Sequence, residues 1–87
     1  MVYVIVVYDF EAERTRKPKK LLRRYLNHVQ NSVFEGQITV GELDDIKTQL
    51  DSMTKSHESA MVYKTGTEEY LERYIFGEDP TDELQFI

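Results

Sequence analysis

The stretch MVYVIVVYDF, residues 1–10, is apolar or aromatic from Val2 to Tyr8 without a break and then meets a carboxylate, Asp9. Such a valine-rich run reads as a central β-strand covered on both faces. It is far too short to cross a bilayer, which takes ~20 apolar residues. No basic segment precedes it, so it is read as a strand and not as a secretory signal. The acid at its end has two readings. Aspartate often forms a turn by bonding its own backbone two residues on. A carboxylate on a rigid strand end is also well mounted to hold a ligand.

Working outward, a polar loop runs from Asp9 to Thr15. RKPKKLLRRYLNHV, residues 16–29, predicts a helix, with Leu21, Leu22, Tyr25, Leu26 and Val29 on one face. Pro18 falls in its first turn, where no intrahelical donor is needed. QNSVFEGQITV, residues 30–40, is strand-like, with Gly36 as a bulge or turn. A second helix is expected over about 41–53, with Leu43, Ile46, Leu50 and Met53 as its apolar stripe and Thr39 and Glu42 spaced as a capping box. ESAMVYKTG (58–66) reads as a strand; YLERYIFG (70–77) is favoured as another on the strength of Tyr70, Tyr74, Ile75 and Phe76, a short helix over TEEYLERY (67–74) being the alternative.

This order predicts an α+β, ferredoxin-like two-layer sandwich: a mostly antiparallel sheet with two helices on one face, plus a short C-terminal strand. Residues 1–78 form the domain. Residues 79–87, ending in the apolar LQFI, are expected to be a tail that adds an edge strand at a dimer interface. The topology wants two strands between the helices, and one strand broken at Gly36 is expected to serve for both.

A charged fraction of 31 % beside 40 % hydrophobic residues fits a folded soluble chain. The absence of cysteine excludes disulfides and thiolate metal sites and agrees with a reducing cytoplasm. The net charge of −5 hides an asymmetry. Residues 1–30 carry seven Lys or Arg against three acids, whereas residues 31–87 carry four against thirteen. All seven N-terminal bases lie in one run: Arg14, Arg16, Lys17, Lys19, Lys20, Arg23 and Arg24. Like charges this dense repel, and a polyanion relieves them. The run suits phosphate contacts without base readout.

VIVVYDF (4–10), RTRKPKKLLRRYL (14–26), VQNSVFEG (29–36) and the acidic GELDDIKTQL (41–50) together resemble the CRISPR-associated protein 2 family. The likeness is close over residues 2 to about 65 and loose beyond. It implies a symmetric homodimer that partners the CRISPR integrase in spacer acquisition and cuts nucleic acid, single-stranded RNA or duplex DNA, with Mg²⁺ or another divalent cation. Asp9 matches the metal-binding position of that family, paired with its twin across the dimer axis. Tyr8, Ser32 and Phe34 match positions implicated in catalysis around it, as do Arg14 and Arg16. The residue types alone leave a plainer view of each: Phe34 and Tyr25 as core, Ser32 as structural. His28 and His57 have no companion at ligand spacing. No Gly-rich phosphate loop or nucleophile elbow is present. The same bases also suit a non-catalytic adaptor that bridges integrase subunits and carries prespacer DNA.

Overall fold

In the computed structural model, which describes residues 1–65 and 71–78 (backbone alone at 71–73), β1 (Val2–Asp9) is the middle strand of five. The others are β2 (Asn27–Gln30), β3 (Val33–Ile38), β4 (Ser59–Thr65) and β5 (Leu71–Gly77), in the order β2-β3-β1-β4-β5 with every pairing antiparallel. The helices α1 (Arg16–Leu22) and α2 (Val40–Met53) cover one face. The predicted tail strand over 79–87 lies outside the described residues.

Strand alternation sorts β1 into two sides. Val4, Val6 and Tyr8 are buried under the helices with Phe34, Ile38, Ala60 and Val62 of the neighbouring strands. Leu21, Leu22 and Leu26, with Leu43, Ile46 and Leu50 of α2, close this core from above. Each such side chain contributes about 1.5–3 kcal/mol on burial. The expectation of a strand covered on both faces holds on one side only, since Ile5 and Val7 are half-buried. Registers align Val33, Val7, Met61 and Ile75 in one apolar row across the open face.

α2 begins as its sequence predicts. Thr39 accepts from the Glu42 amide (3.1 Å) and the Glu42 carboxylate accepts from the Thr39 amide (2.9 Å), a complete capping box.

The predicted helix over 16–29 is half as long. After Leu22 the bonds tighten to an i−3 pattern, Arg24 N–H to Leu21 O (3.2 Å) and Tyr25 N–H to Leu22 O (3.0 Å), and the chain turns into β2. Val29, whose spacing fits the helical stripe, is 51 % exposed on the edge strand β2. The break between the two strands that connect the helices, β2 and β3, is at Asn31–Ser32 and not at Gly36. Asn31 takes the left-handed conformation (φ 42°), which asparagine tolerates better than most residues. Gly36 stays in β3, where a Cβ would stand 3.3 Å from the Leu26 side chain.

β5 ends at Gly77, whose φ of +87° and close packing both demand glycine. A Cβ there would sit 1.8 Å from the Glu58 carbonyl oxygen and 2.7 Å from the Thr54 methyl. Gly77→Ala is therefore expected to destabilise the fold by about 2 kcal/mol or more, lowering the melting temperature by roughly 10 °C. A thermal melt followed by circular dichroism checks this; an unchanged midpoint would contradict the packing described.

Candidate functional site

Asp9 closes β1 opposite Ser59 of β4. Its carboxylate is exposed, and no described residue holds it by a hydrogen bond or ion pair. By alternation it follows Ile5 and Val7 onto the open face of the sheet. Tyr8 points the other way, into the helix-side core. There its ring stacks on Phe34 (6.3 Å between centroids) and meets Phe10 edge-on (5.9 Å). Burial pushes the Tyr8 phenol up, against the opposing pull of a hydrogen bond from Ser32 and the nearby charge of Arg23. The Tyr8 amide donates to Ser32 O (3.1 Å), carrying the β1–β3 pairing to the start of the turn. Tyr8, Ser32 and Phe34 thus come together, but the sheet separates them from Asp9. Phe34 is fully buried, which leaves no ring face for a nucleic-acid base.

Arg14 departs from the surface role expected of it. Its guanidinium forks onto Glu58, Nε to Oε2 at 2.8 Å and Nη2 to Oε1 at 3.1 Å, and Nη2 also donates to Met53 O at 2.6 Å. The Glu58 carboxylate further accepts from the amides of Glu11 and Lys55, both at 3.1 Å. Only 1 % of Glu58 is exposed. Its acceptor sites are therefore filled by two bonds on each oxygen. Arg14 first, with these amides, holds the Glu58 carboxyl down at about 2 against the desolvation that opposes it. Arg14 is raised in turn, chiefly by the bond to Glu58.

A carboxyl whose folded pKa lies below its unfolded value of 4.5 stabilises the fold above that value, and the contribution is lost as pH falls towards about 2. Melting temperature is accordingly expected to drop between about pH 4.5 and 2, with a proton taken up on unfolding. Glu58→Gln should lower it at neutral pH and flatten its slope in that window. An equal slope in both proteins would assign the acid sensitivity to other carboxylates. Nothing in the pattern of HES, residues 57–59, marks its glutamate as buried, and the sequence reading missed it.

Glu58 also brings two other side chains close. Glu11 and His57, both well exposed, pair with each other, and one ligand atom from each of Glu11, His57 and Glu58 lies within 4.8 Å of the others. With Glu58 committed to Arg14, this group offers a cation one carboxylate and one imidazole. Imidazole suits zinc-like ions better than Mg²⁺. The distance between His57 and Glu11 in the chain gave no signal of the pairing.

The remaining bases are displayed outward by α1 and the turn that follows it. Arg16, Lys19, Lys20 and Arg23 surround a cavity of about 380 Å³. Lys17, Lys20 and Arg24 rim a second, of about 220 Å³, floored by Leu21 and Met53. None of the six makes an ion pair with a described residue. Their spacing of three and four residues places Arg16, Lys19, Lys20 and Arg23 on a single helical stripe.

Residues 1–73 match the family described as CRISPR associated protein Cas2. The chain is 39 % identical over 84 residues to the CRISPR-associated endoribonuclease Cas2 of Pyrococcus furiosus, covering 95 % of this chain and 99 % of that one. It is 38 % identical over 78 residues to the CRISPR-associated endoribonuclease Cas2 2 of Archaeoglobus fulgidus, covering 88 % and 85 %. A solved structure titled "Crystal structure of cas2" superposes with a TM-score of 0.71 at 35 % identity, over 92 % of this chain and 91 % of that one.

Proposed function

Because the chain belongs to the CRISPR-associated Cas2 family, we propose that it acts in CRISPR spacer acquisition as a homodimeric, divalent-metal-dependent endonuclease on single-stranded RNA or duplex DNA. The observation that carries this is Asp9, an exposed carboxylate without a partner among the described residues, mounted at the end of a strand whose helix side is buried. It stands on the same open face as the row Val33, Val7, Met61 and Ile75. A second copy laid on that row by a twofold axis covers apolar surface and brings a second Asp9 towards the first.

A carboxylate from each copy, together with phosphate oxygens, is a donor set that fits Mg²⁺ or another hard divalent cation. When bound, such a cation supplies charge neutralisation at the phosphate and a more acidic water. The chain's own residues do the rest. The Asp9 pair holds the charge in place, Tyr8 and Ser32 brace the strand end from beneath, and the bases of α1 bind the nucleic-acid backbone. The cytoplasm and the CRISPR integrase complete this setting. Among the described residues no helix is long and apolar enough to cross a membrane.

The position of α1 favours a second reading. Its bases lie in the helix layer, whereas Asp9 lies on the open face, so DNA carried by α1 need not reach Asp9. A dimer that bridges integrase subunits and carries prespacer DNA uses the bases alone. The deciding experiment incubates the purified chain with labelled single-stranded RNA and duplex DNA, with Mg²⁺ and with chelator, beside a mass measurement in solution. Mg²⁺-dependent cleavage by a dimer supports the nuclease. Tight DNA binding without cleavage supports the adaptor.

A further inference from the structure

We propose that Glu58 and Arg14 are positioning residues for Asp9, an inference that rests on the nuclease reading above. Glu58 is the last residue before β4, and the next one, Ser59, is the β-sheet partner of Asp9. The buried carboxylate of Glu58 takes bonds from three separate segments. These are the Glu11 amide two residues beyond Asp9, the Arg14 side chain on the turn that follows, and the Lys55 amide after α2. Arg14 carries the tie onward to Met53 O at the end of α2. The Glu58 carbonyl oxygen accepts from the Glu78 amide at 2.8 Å, so the end of β5 is fastened to the same residue. One glutamate therefore fixes the exit of β1, the exit of α2 and the end of β5. Asp9 is joined to that junction through the backbone, as the sheet partner of Ser59 and two residues before Glu11, and makes none of the bonds itself.

Stability alone is a weak reason for such a pair, because well-packed apolar side chains of similar volume commonly stabilise as much or more. What the fork adds is direction. Its two parallel bonds define both the distance and the angle between the segments they join. A carboxylate that must meet its twin across a symmetry axis needs that accuracy, since loss of an outer support typically weakens metal binding or activity about 10–100-fold.

The test compares the full-length parent with Arg14→Lys, which keeps the charge but loses the fork, and with Glu58→Gln, which keeps the shape. Ile46→Val, in the α2 core away from the junction, serves as the control for lost stability. For each folded protein the measurements are kcat and KM for single-stranded RNA with Mg²⁺, Mn²⁺ affinity by electron paramagnetic resonance, and affinity for duplex DNA. The expected result for Arg14→Lys is about a 10-fold or greater loss in both kcat and Mn²⁺ affinity, with KM and duplex affinity changed less than about twofold and Ile46→Val like the parent. If Arg14→Lys does not fold, Glu58→Gln gives the same split.

Three outcomes overturn the inference alone. The folded variants match the parent; they lose no more than Ile46→Val; or the whole effect falls on KM and duplex affinity, which makes Arg14 a nucleic-acid contact. A parent that neither cleaves nor binds Mn²⁺ overturns the nuclease reading, and this inference with it.

Discussion

Asp9→Asn is expected to lower kcat for Mg²⁺-dependent cleavage by more than about 100-fold, since removing even an outer support of a metal ligand typically costs about 10–100-fold. The variant should fold normally and still form the dimer. Asparagine matches aspartate in size and in its ability to form turns, and the Asp9 carboxylate bonds to no described residue whose partner would be orphaned. The pairing of residue 9 with Ser59 belongs to the backbone and survives the change. Two facing carboxylates repel, so without metal the asparagine variant should dimerise somewhat more tightly than the parent. Single-turnover cleavage and sedimentation equilibrium, each with and without Mg²⁺, measure both effects. If the variant cleaves like the parent, Asp9 holds no catalytic metal.

The second large effect concerns α1. Changing Arg16, Lys20 and Arg24 together to alanine removes two bases from each of the two basic cavities, Lys20 being common to both. All three are exposed and without ion pairs to described residues, so the helix loses no support. At Arg16 and Lys20, which lie within α1, alanine is in fact the better helix former. Each lost phosphate contact should flatten the plot of log affinity against log salt by about 0.9, or about 2.7 for three contacts on one protomer. At 0.1 M salt this corresponds to roughly 500-fold weaker duplex binding, spread evenly over sequences because no base is read. Fluorescence anisotropy from 50 to 300 mM salt measures the slope. An unchanged slope would mean that these bases are merely solvated.

The elements with an unambiguous local signal were legible in the chain. β1 followed from an unbroken apolar run, and α2 from a period of three and four residues behind Thr39 and Glu42. The preference for strand at the end holds over Leu71–Gly77. The α1–β2 junction was misread because residues 25, 26 and 29 satisfy helical spacing while the sheet claims the last of them. In that contest tertiary pairing outweighed local periodicity. Gly36 attracted the break because glycine is the usual turn marker, yet Asn31 makes the turn and Gly36 gives room to Leu26.

The candidate site was legible as residue types but not as a set. Tyr8 and Asp9 are neighbours in sequence, and a period of two assigns them to opposite faces. An unbroken apolar strand conceals which face is which. The Arg14–Glu58 pair joins residues 44 apart, and no local pattern encodes a contact over that distance.

The edge formed by β2 bears on how copies of this chain accumulate. β2 has only four residues, all exposed, and its register with β3 slips between His28 and Gln30. A short, irregular strand is a poor template for an incoming one. Growth by adding sheet to sheet through this edge is therefore disfavoured. Copies of this chain are thereby kept from pairing strand to strand along that margin.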